Sequence, residues 1–149
     1  IVRAFAKLPA EMAVLDVVGT GESASWLAKL DYGNIRYHGF SKMVAEWYDS
    51  ADVFVSLPRH EAFGLTILEA MNHGLPILTC RTGGIPEIVR DGENAIVIPP
   101  VEHAVFAAML RLCRDRSLIA RMGKRSHEIC CGQFSLDRTL AKIEQVINP

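Results

Sequence analysis

The sequence predicts the α/β class: a parallel, doubly wound sheet followed by a run of helices. Short apolar segments alternate with helix-patterned ones from Ala13 to Pro99. That alternation makes βαβ units with right-handed crossovers. Several of the short segments are apolar nearly throughout, as strands buried on both faces must be. From Val101 onward only helical patterns remain.

Each element follows from its own residues. Ile1 to Leu8 reads as a helix, with apolar positions at Ile1, Val2, Phe5 and Leu8. No residue caps its start, so the chain is expected to be a piece of something longer. "AVLDVVG", Ala13 to Gly19, is the first strand, "ESASWLAKL" a helix, and "NIRYHGF" the second strand. "SKMVAEWYDS" is a helix with Ser41 as its expected N-cap, since a serine hydroxyl can accept from the first free amides. "DVFVSL" is the third strand. Thr66 to His73 is a helix that stops at Gly74, a residue suited to the left-handed position beyond a helix end. "PILTC" is the fourth strand. "IPEIVRDG" is a short helix with Pro86 placed early, where its missing N–H costs nothing. "NAIVIP" is the fifth strand. Three helices close the chain: "VEHAVFAAMLRLCRD", "SLIARMGKRSHEICC" and "LDRTLAKIEQVIN".

Bulk properties narrow the function. The 149 residues suit one domain, and 50% apolar with 22% charged residues is a globular balance. A formal net charge of −1 argues against a nucleic-acid surface, which needs a surplus of Lys and Arg. Apolar runs such as "VFAAML" fall far short of a membrane span, and the first residues do not read as a signal peptide. Membrane contact is expected to be peripheral at most. Cys80, Cys113, Cys130 and Cys131 show no CxxC spacing, so no zinc site is expected. They read as reduced structural thiols, and the expected compartment is the cytoplasm.

In doubly wound sheets, ligands bind beyond the carboxyl ends of the strands. The loops to weigh are therefore "GTGES", "HGFSK", "PRHEAFG", "RTGG" and the segment after Ile98. "GTGESA" matches a dinucleotide fingerprint, but no acid ends the following strand to hold a ribose. NAD is not expected. Gly19 and Gly21 read as a tight turn that lends backbone to a crevice for some other nucleotide. "EAFGLTILE" is more informative. Gly64 allows close approach of a ligand, and the helix after it aims free N–H groups and a positive dipole end at the crevice. Such a place suits a diphosphate. Glu61 and Glu69 flank it, and a carboxylate can accept two hydrogen bonds from a diol such as ribose. A glutamate near a helix start is also a common cap, so the carboxylates alone prove nothing. Together with the glycine turn they point to a sugar nucleotide, which supplies sugar, diphosphate and ribose. His38, His60 and His73 are assigned no catalytic role, and Arg59 and Arg81 read as solvated. Trp26, Trp47 and Tyr48 read as packing. "RDRSLIARMGKR" reads as a solvated basic face.

The stretch from "ADVFVSLPRHEAFGLTILEAMNHGLP" through "GGIPEIVRDG", with "VVGTGE" and "NIRYHGF" upstream, resembles the C-terminal, donor-binding domain of the retaining glycosyltransferases of family 4, the glycosyl transferases group 1. The closing "FSLDRTLAKIEQV" is similar to that family's terminal helix, where a Trp often stands at the place of Leu136. The resemblance covers essentially the whole chain. It implies the Rossmann-like C-terminal half of the GT-B architecture. It implies transfer of a sugar, with retention, from a nucleotide-diphosphate sugar to a sugar, glycan, lipid or small-molecule acceptor. It also implies roles. Glu61 would sit by the transferred sugar, and the backbone of Phe63, Gly64 and Leu65 would contact sugar and diphosphate. Thr66 would stand at the helix start by the phosphates. Glu69 would hold the ribose, and Gly39, Phe40 and Ser41 would lie against the base. No metal or other cofactor is implied. The family's diphosphate-clamping Arg and Lys, its first strand and its acceptor domain precede the segment present here, so this piece alone is expected to be inactive. A sugar-nucleotide epimerase of similar architecture and a non-catalytic interaction domain are the alternatives.

Overall fold

The computed structural model describes residues 1–147. In chain order it holds α1 (Val2–Phe5), β1 (Leu15–Val18), α2 (Ala24–Leu27), β2 (Ile35–Gly39), α3 (Val44–Ser50), β3 (Phe54–Ser56) and α4 (Leu65–Asn72). Then come β4 (Ile77–Thr79), α5 (Ile85–Ile88), β5 (Ala95–Val97), α6 (Glu102–Arg114), α7 (Arg116–Gln133) and α8 (Leu136–Ile147). The expected alternation and the helical end are both there. The last expected helix runs to Asn148, which lies outside the described residues.

All strand pairings are parallel, but they fall into two ladders. β1 pairs with β2, Leu15 opposite Ile35, with a register shift between Val17 and Val18. The other ladder is β3-β4-β5, with Ile77 between Phe54 and Ala95. β4 is buried throughout. Successive side chains of a strand point to opposite faces, and Ile77 and Leu78 accordingly join different cores. Ile77 packs with Ile67, Ala70 and Met71 of α4, Ile85 and Ile88 of α5, and Ile129 of α7. Leu78 packs with Val105, Met109 and Leu112 of α6, Leu118 and Met122 of α7, and Ala4 and Phe5 of α1. Helices therefore cover both faces, the condition for an apolar parallel strand.

Helix faces follow the 3.6-residue period. α6 buries Val105, Ala108, Met109 and Leu112, while its other positions stay wet or half-wet. α7 starts on Asp115, whose carboxylate accepts from Leu118 N at 2.9 Å. α4 stops where expected. Gly74 takes φ +73°, its N–H donates to Met71 O at 3.0 Å, and Leu75 N donates to Ala70 O at 3.1 Å, the paired bonds of a Schellman end. Beyond that stop α7 crosses α4 closely. A Cβ added at Gly123 would meet the Gly74 carbonyl oxygen at 2.2 Å.

Some expectations need correction. Ser41 is not the N-cap of α3. The cap position is Met43, and the Ser41 hydroxyl instead accepts from Met43 N at 3.1 Å and Trp47 Nε1 at 3.2 Å. The helix expected from Glu22 to Leu30 keeps one regular turn, Ala24–Leu27, with no buried residue. Trp26 on that turn is 47% exposed rather than packed. A single turn presents no stripe long enough to dock against a sheet. α1 is likewise shortened to Val2–Phe5, continuing as tighter turns that place Leu8 in the core. All four cysteines are free thiols. No described helix is long and apolar enough to cross a membrane.

Candidate functional site

The strand–helix junction between β3 and α4 is built by backbone geometry. Gly64 sits at the N-cap of α4 with φ +97° and ψ +46°, a left-handed conformation that glycine adopts without cost. It is also walled in: a Cβ here would stand 3.2 Å from Ile88 Cδ1. No side chain caps the helix. The Gly64 carbonyl accepts from Ile67 and Leu68, the first bonds of the helix. The N–H groups of Leu65 and Thr66 have no partner among the described residues, and both residues are exposed. This is the free positive end of a helix, aimed out at the carboxyl edge of a parallel sheet.

Glu61 is half-buried and held in place. Its Oε1 accepts from Phe63 N at 3.2 Å and Gly64 N at 2.9 Å. Of the three backbone positions expected to meet a ligand, the amides of Phe63 and Gly64 are thus taken by Glu61 in this conformation, which leaves those of Leu65 and, next to it, Thr66. A second loop fixes the first from below. A Cβ at Gly83, φ +52°, would stand 1.6 Å from the Glu61 carbonyl oxygen, and one at Gly84 2.6 Å from that of Ala62. The "TGG" loop after β4 therefore runs backbone against backbone under the Glu61 turn. Sequence reasoning marked "RTGG" as a strand-end loop but gave its glycines no role. Their pairing beyond a strand was the available signal.

Glu69 lies one turn into α4. Its Oε2 accepts a hydrogen bond from the Tyr48 hydroxyl of α3 at 3.0 Å, and Tyr48 Oη also reaches Thr66 O at 3.4 Å. Tyr48 does pack in the core, against Phe54 and the His73 ring, but its hydroxyl is a second function that spacing alone did not show. Burial first, and then the bond to Glu69, pushes the Tyr48 phenol far above the usual tyrosine range, so it remains a donor. Asp49 adds a neighbouring tie, with Oδ1 2.6 Å from His73 Nδ1 at the end of α4. α3 and α4 are thereby joined across the crevice floor.

The other expected positions gather at the ends of β1 and β2. Gly19 N donates to Gly39 O at 2.7 Å, and the Tyr37 hydroxyl donates to Gly19 O at 3.0 Å. Phe40, next in the chain, is 71% exposed, and Ser41 is engaged with Trp47. The Trp47 and His38 rings lie with centroids 4.2 Å apart and tilted by 42°, and His38 Nε2 pairs with Asp16 at 2.7 Å. Gly21 follows Gly19 in the same turn. A cavity of about 470 Å³ lies beyond β4 and β5, lined by Arg81, Thr82, Asp91 and Pro99, and by none of Glu61, Gly64 and Glu69. Among the described residues no cluster of three or more His, Cys, Asp or Glu could hold a metal ion.

A parallel sheet wrapped on both faces, with a free helix end and two anchored carboxylates at its carboxyl edge, places the chain in the doubly wound α/β class. The sequence model of the glycosyl transferases group 1 matches residues 1–115, and the chain belongs to that family. Among its relatives is the lipopolysaccharide core biosynthesis glycosyltransferase LpsE of Rhizobium meliloti, 33% identical over 91% of this chain and 41% of its own length. The N-acetyl-alpha-D-glucosaminyl L-malate synthase of Bacillus anthracis is 30% identical over 98% of this chain and 40% of its own length. The chain thus spans about two fifths of these relatives. Among solved structures, Anabaena HepE in complex with UDP superposes with a TM-score of 0.86 at 19% identity, over 98% of this chain and 43% of HepE. The glycosyltransferase WaaG, involved in lipopolysaccharide biosynthesis, gives 0.80 at 25% identity over 95% of this chain and 41% of WaaG. The doubly wound fold is that of GT-B glycosyltransferases.

Proposed function

We propose that this chain is the donor-binding part of a glycosyltransferase that moves a sugar from a nucleotide diphosphate to a sugar, glycan, lipid or small-molecule acceptor, with retention. The observation that carries the reading is the free amino end of α4 behind Gly64, flanked by Glu61 and Glu69, each fixed by its own donors. The diphosphate lies on the Leu65 and Thr66 amides, where helix dipole and N–H groups favour an anion. Glu69 accepts from the ribose hydroxyls with the oxygen that Tyr48 does not hold. Glu61 stands by the transferred sugar and stabilises positive charge developing at its anomeric carbon. Gly39, Phe40 and Ser41 supply the surface for the base, with Gly19 and Gly21 behind them. Positioning and electrostatics carry the rate. No metal is required in this reading. HepE, solved with UDP and with UDP-glucose, is support for a uridine donor on this fold. The acceptor is held by the rest of the full-length protein. The four free thiols fit a reducing compartment, the cytoplasm.

The test is an NMR titration of the chain with UDP, GDP, ADP and their glucose and mannose conjugates, with Glu69→Ala beside it. The expected result is shifts at the amides of Gly64, Leu65 and Thr66, weakened in Glu69→Ala. If the full-length protein binds none of these nucleotides while folded, the reading is wrong. Release of sugar to an acceptor with the donor's anomeric configuration separates transfer from epimerisation.

A further inference from the structure

Two opposite charges face one cavity without meeting. The cavity of about 470 Å³ lies beyond the carboxyl ends of β4 and β5, and Arg81, Thr82 and Asp91 stand in its wall beside Val97, Pro99 and Pro100. Arg81 is exposed, and its guanidinium has no ion pair or hydrogen bond with any described residue. Asp91 is exposed as well. Its Oδ1 accepts from Val97 N at 2.9 Å, which fixes the carboxylate and leaves Oδ2 over. Among the described residues Asp91 and Arg81 form no ion pair with each other. The walls that carry them are held. Ile98 N donates to Thr79 O at 2.9 Å and ties the end of β4 to the end of β5. Cys80 Sγ lies 3.5 Å from Pro58 O and 3.4 Å from Thr82 Oγ1. Behind Thr82, Gly83 and Gly84 run against the carbonyls of Glu61 and Ala62.

We infer that this cavity binds an acidic sugar, a hydroxylated ring that carries a phosphate or a carboxylate. A guanidinium is a planar fork of donors that matches either anion with two parallel bonds, and Arg81 brings such a fork with no partner of its own. Asp91 sets the other end of the ligand. Its spare oxygen accepts from hydroxyls and repels a second anion, so the charged group goes to Arg81 and the hydroxyls go to Asp91. The Thr82 hydroxyl can donate to the ligand or accept from it. Val97, Pro99 and Pro100 give an apolar wall for the C–H face of a sugar ring. The volume falls within the roughly 300–1,000 Å³ of small-molecule sites and is far more than a lone anion fills. The inference does not rest on the donor reading, because the cavity takes in none of Glu61, Gly64 and Glu69. The two places are neighbours across one loop: its side chains at Arg81 and Thr82 face the cavity, and its glycines support the Glu61 turn.

The test is an NMR titration of the chain with glucose 6-phosphate, glucuronate, glucose and inorganic phosphate, in the wild type and in Arg81→Gln. The expected result is saturable shifts at the Arg81 Nε–H and at the amides of Thr82 and Asp91 with one or both acidic sugars. A response to only one of the two names the anionic group. Glucose and phosphate bind about tenfold more weakly or worse, since each lacks half of the ligand. Arg81→Gln weakens the acidic sugar about tenfold or more, as loss of a hydrogen-bonded charge implies. The amide spectrum outside the loop checks that this variant keeps its fold. Titration of Arg81→Gln with UDP reads the amides of Leu65 and Thr66, so failure of the donor reading shows separately. No shift with either acidic sugar would overturn the inference. So would phosphate alone binding as tightly, which would mark an adventitious ion only, or equal affinities in wild type and Arg81→Gln.

Discussion

Gly83→Ala tests the claim that the Glu61 turn is held from below by backbone contact. The new Cβ would stand 1.6 Å from Glu61 O and 2.8 Å from Glu61 C. An ordinary carbon–oxygen contact is roughly 3.3 Å, so the two loops must part by about 1.7 Å, and the obstacle is main chain rather than a side chain that can swing away. Overpacking of this kind costs about 1–3 kcal/mol. The left-handed backbone at φ +52° adds about 1–2 kcal/mol for a residue with a Cβ. The sum is about 2–5 kcal/mol, a large share of the roughly 5–15 kcal/mol that holds a domain together. Gly92→Ala separates the two terms, because Gly92 has φ +79° but no atom within 4 Å of an added Cβ. Urea unfolding of both variants measures the difference, which is the contact term. A Gly83→Ala cost no greater than that of Gly92→Ala would refute the backbone clamp. The same variant moves Glu61, so donor affinity falls with stability in Gly83→Ala and stays near wild type in Gly92→Ala.

Three further outcomes are expected. Tyr48→Phe removes the donor to Glu69 and about 0.5–1.5 kcal/mol of hydrogen bonding; nucleotide affinity by calorimetry falls about three- to tenfold, while loss of binding altogether would mean that Tyr48 holds more than Glu69. Alkaline unfolding follows from the raised Tyr48 phenol: the unfolded chain ionises first, so stability declines as pH rises through the ordinary tyrosine value of about 10 and beyond, and Tyr48→Phe removes that part of the decline in thermal melts between about pH 9 and 11. Gly123→Ala forces a Cβ against Gly74 O at 2.2 Å, and urea unfolding shows a loss of about 1–3 kcal/mol.

Much of the fold was legible because its signals are local. Gly74 announced the end of α4, and it makes the expected pair of bonds there. Pro86 announced a short helix, and it stands in the first turn of α5. Apolar runs announced the strands, but only β4 is buried throughout; β1, read as buried on both faces, is half-buried with Asp16 exposed. What failed was the choice between competing local partners. The Ser41 hydroxyl can cap a helix, but the Trp47 indole and Met43 amide claim it. Core-like spacing at Trp26 required a helix longer than the one turn that forms. In the candidate site, Glu61, Gly64 and Glu69 came from motif and resemblance. Tyr48, Gly83 and Gly84 act through contacts between residues distant in sequence, and one sequence carries no direct sign of those.

The division of the strands into two ladders sets them apart in hydrogen bonding, although Ile35 of β2 shares a core with Leu78 of β4. β4 is buried throughout, flanked on both sides, and sealed by α4, α5 and α7. Among the described residues β1 pairs with β2 alone; β2 alternates between buried or half-buried and exposed positions, and β1 is half-buried except for exposed Asp16. Amide hydrogens of β3, β4 and β5 will exchange near the global unfolding limit. Those of β1 and β2 will exchange through a smaller, cheaper opening. A ligand laid from the Gly19 and Gly39 turns to the head of α4 would span both ladders. It would then slow exchange most in the weaker one, far from the atoms of its own diphosphate, and give donor binding a mechanical signature separate from any chemistry.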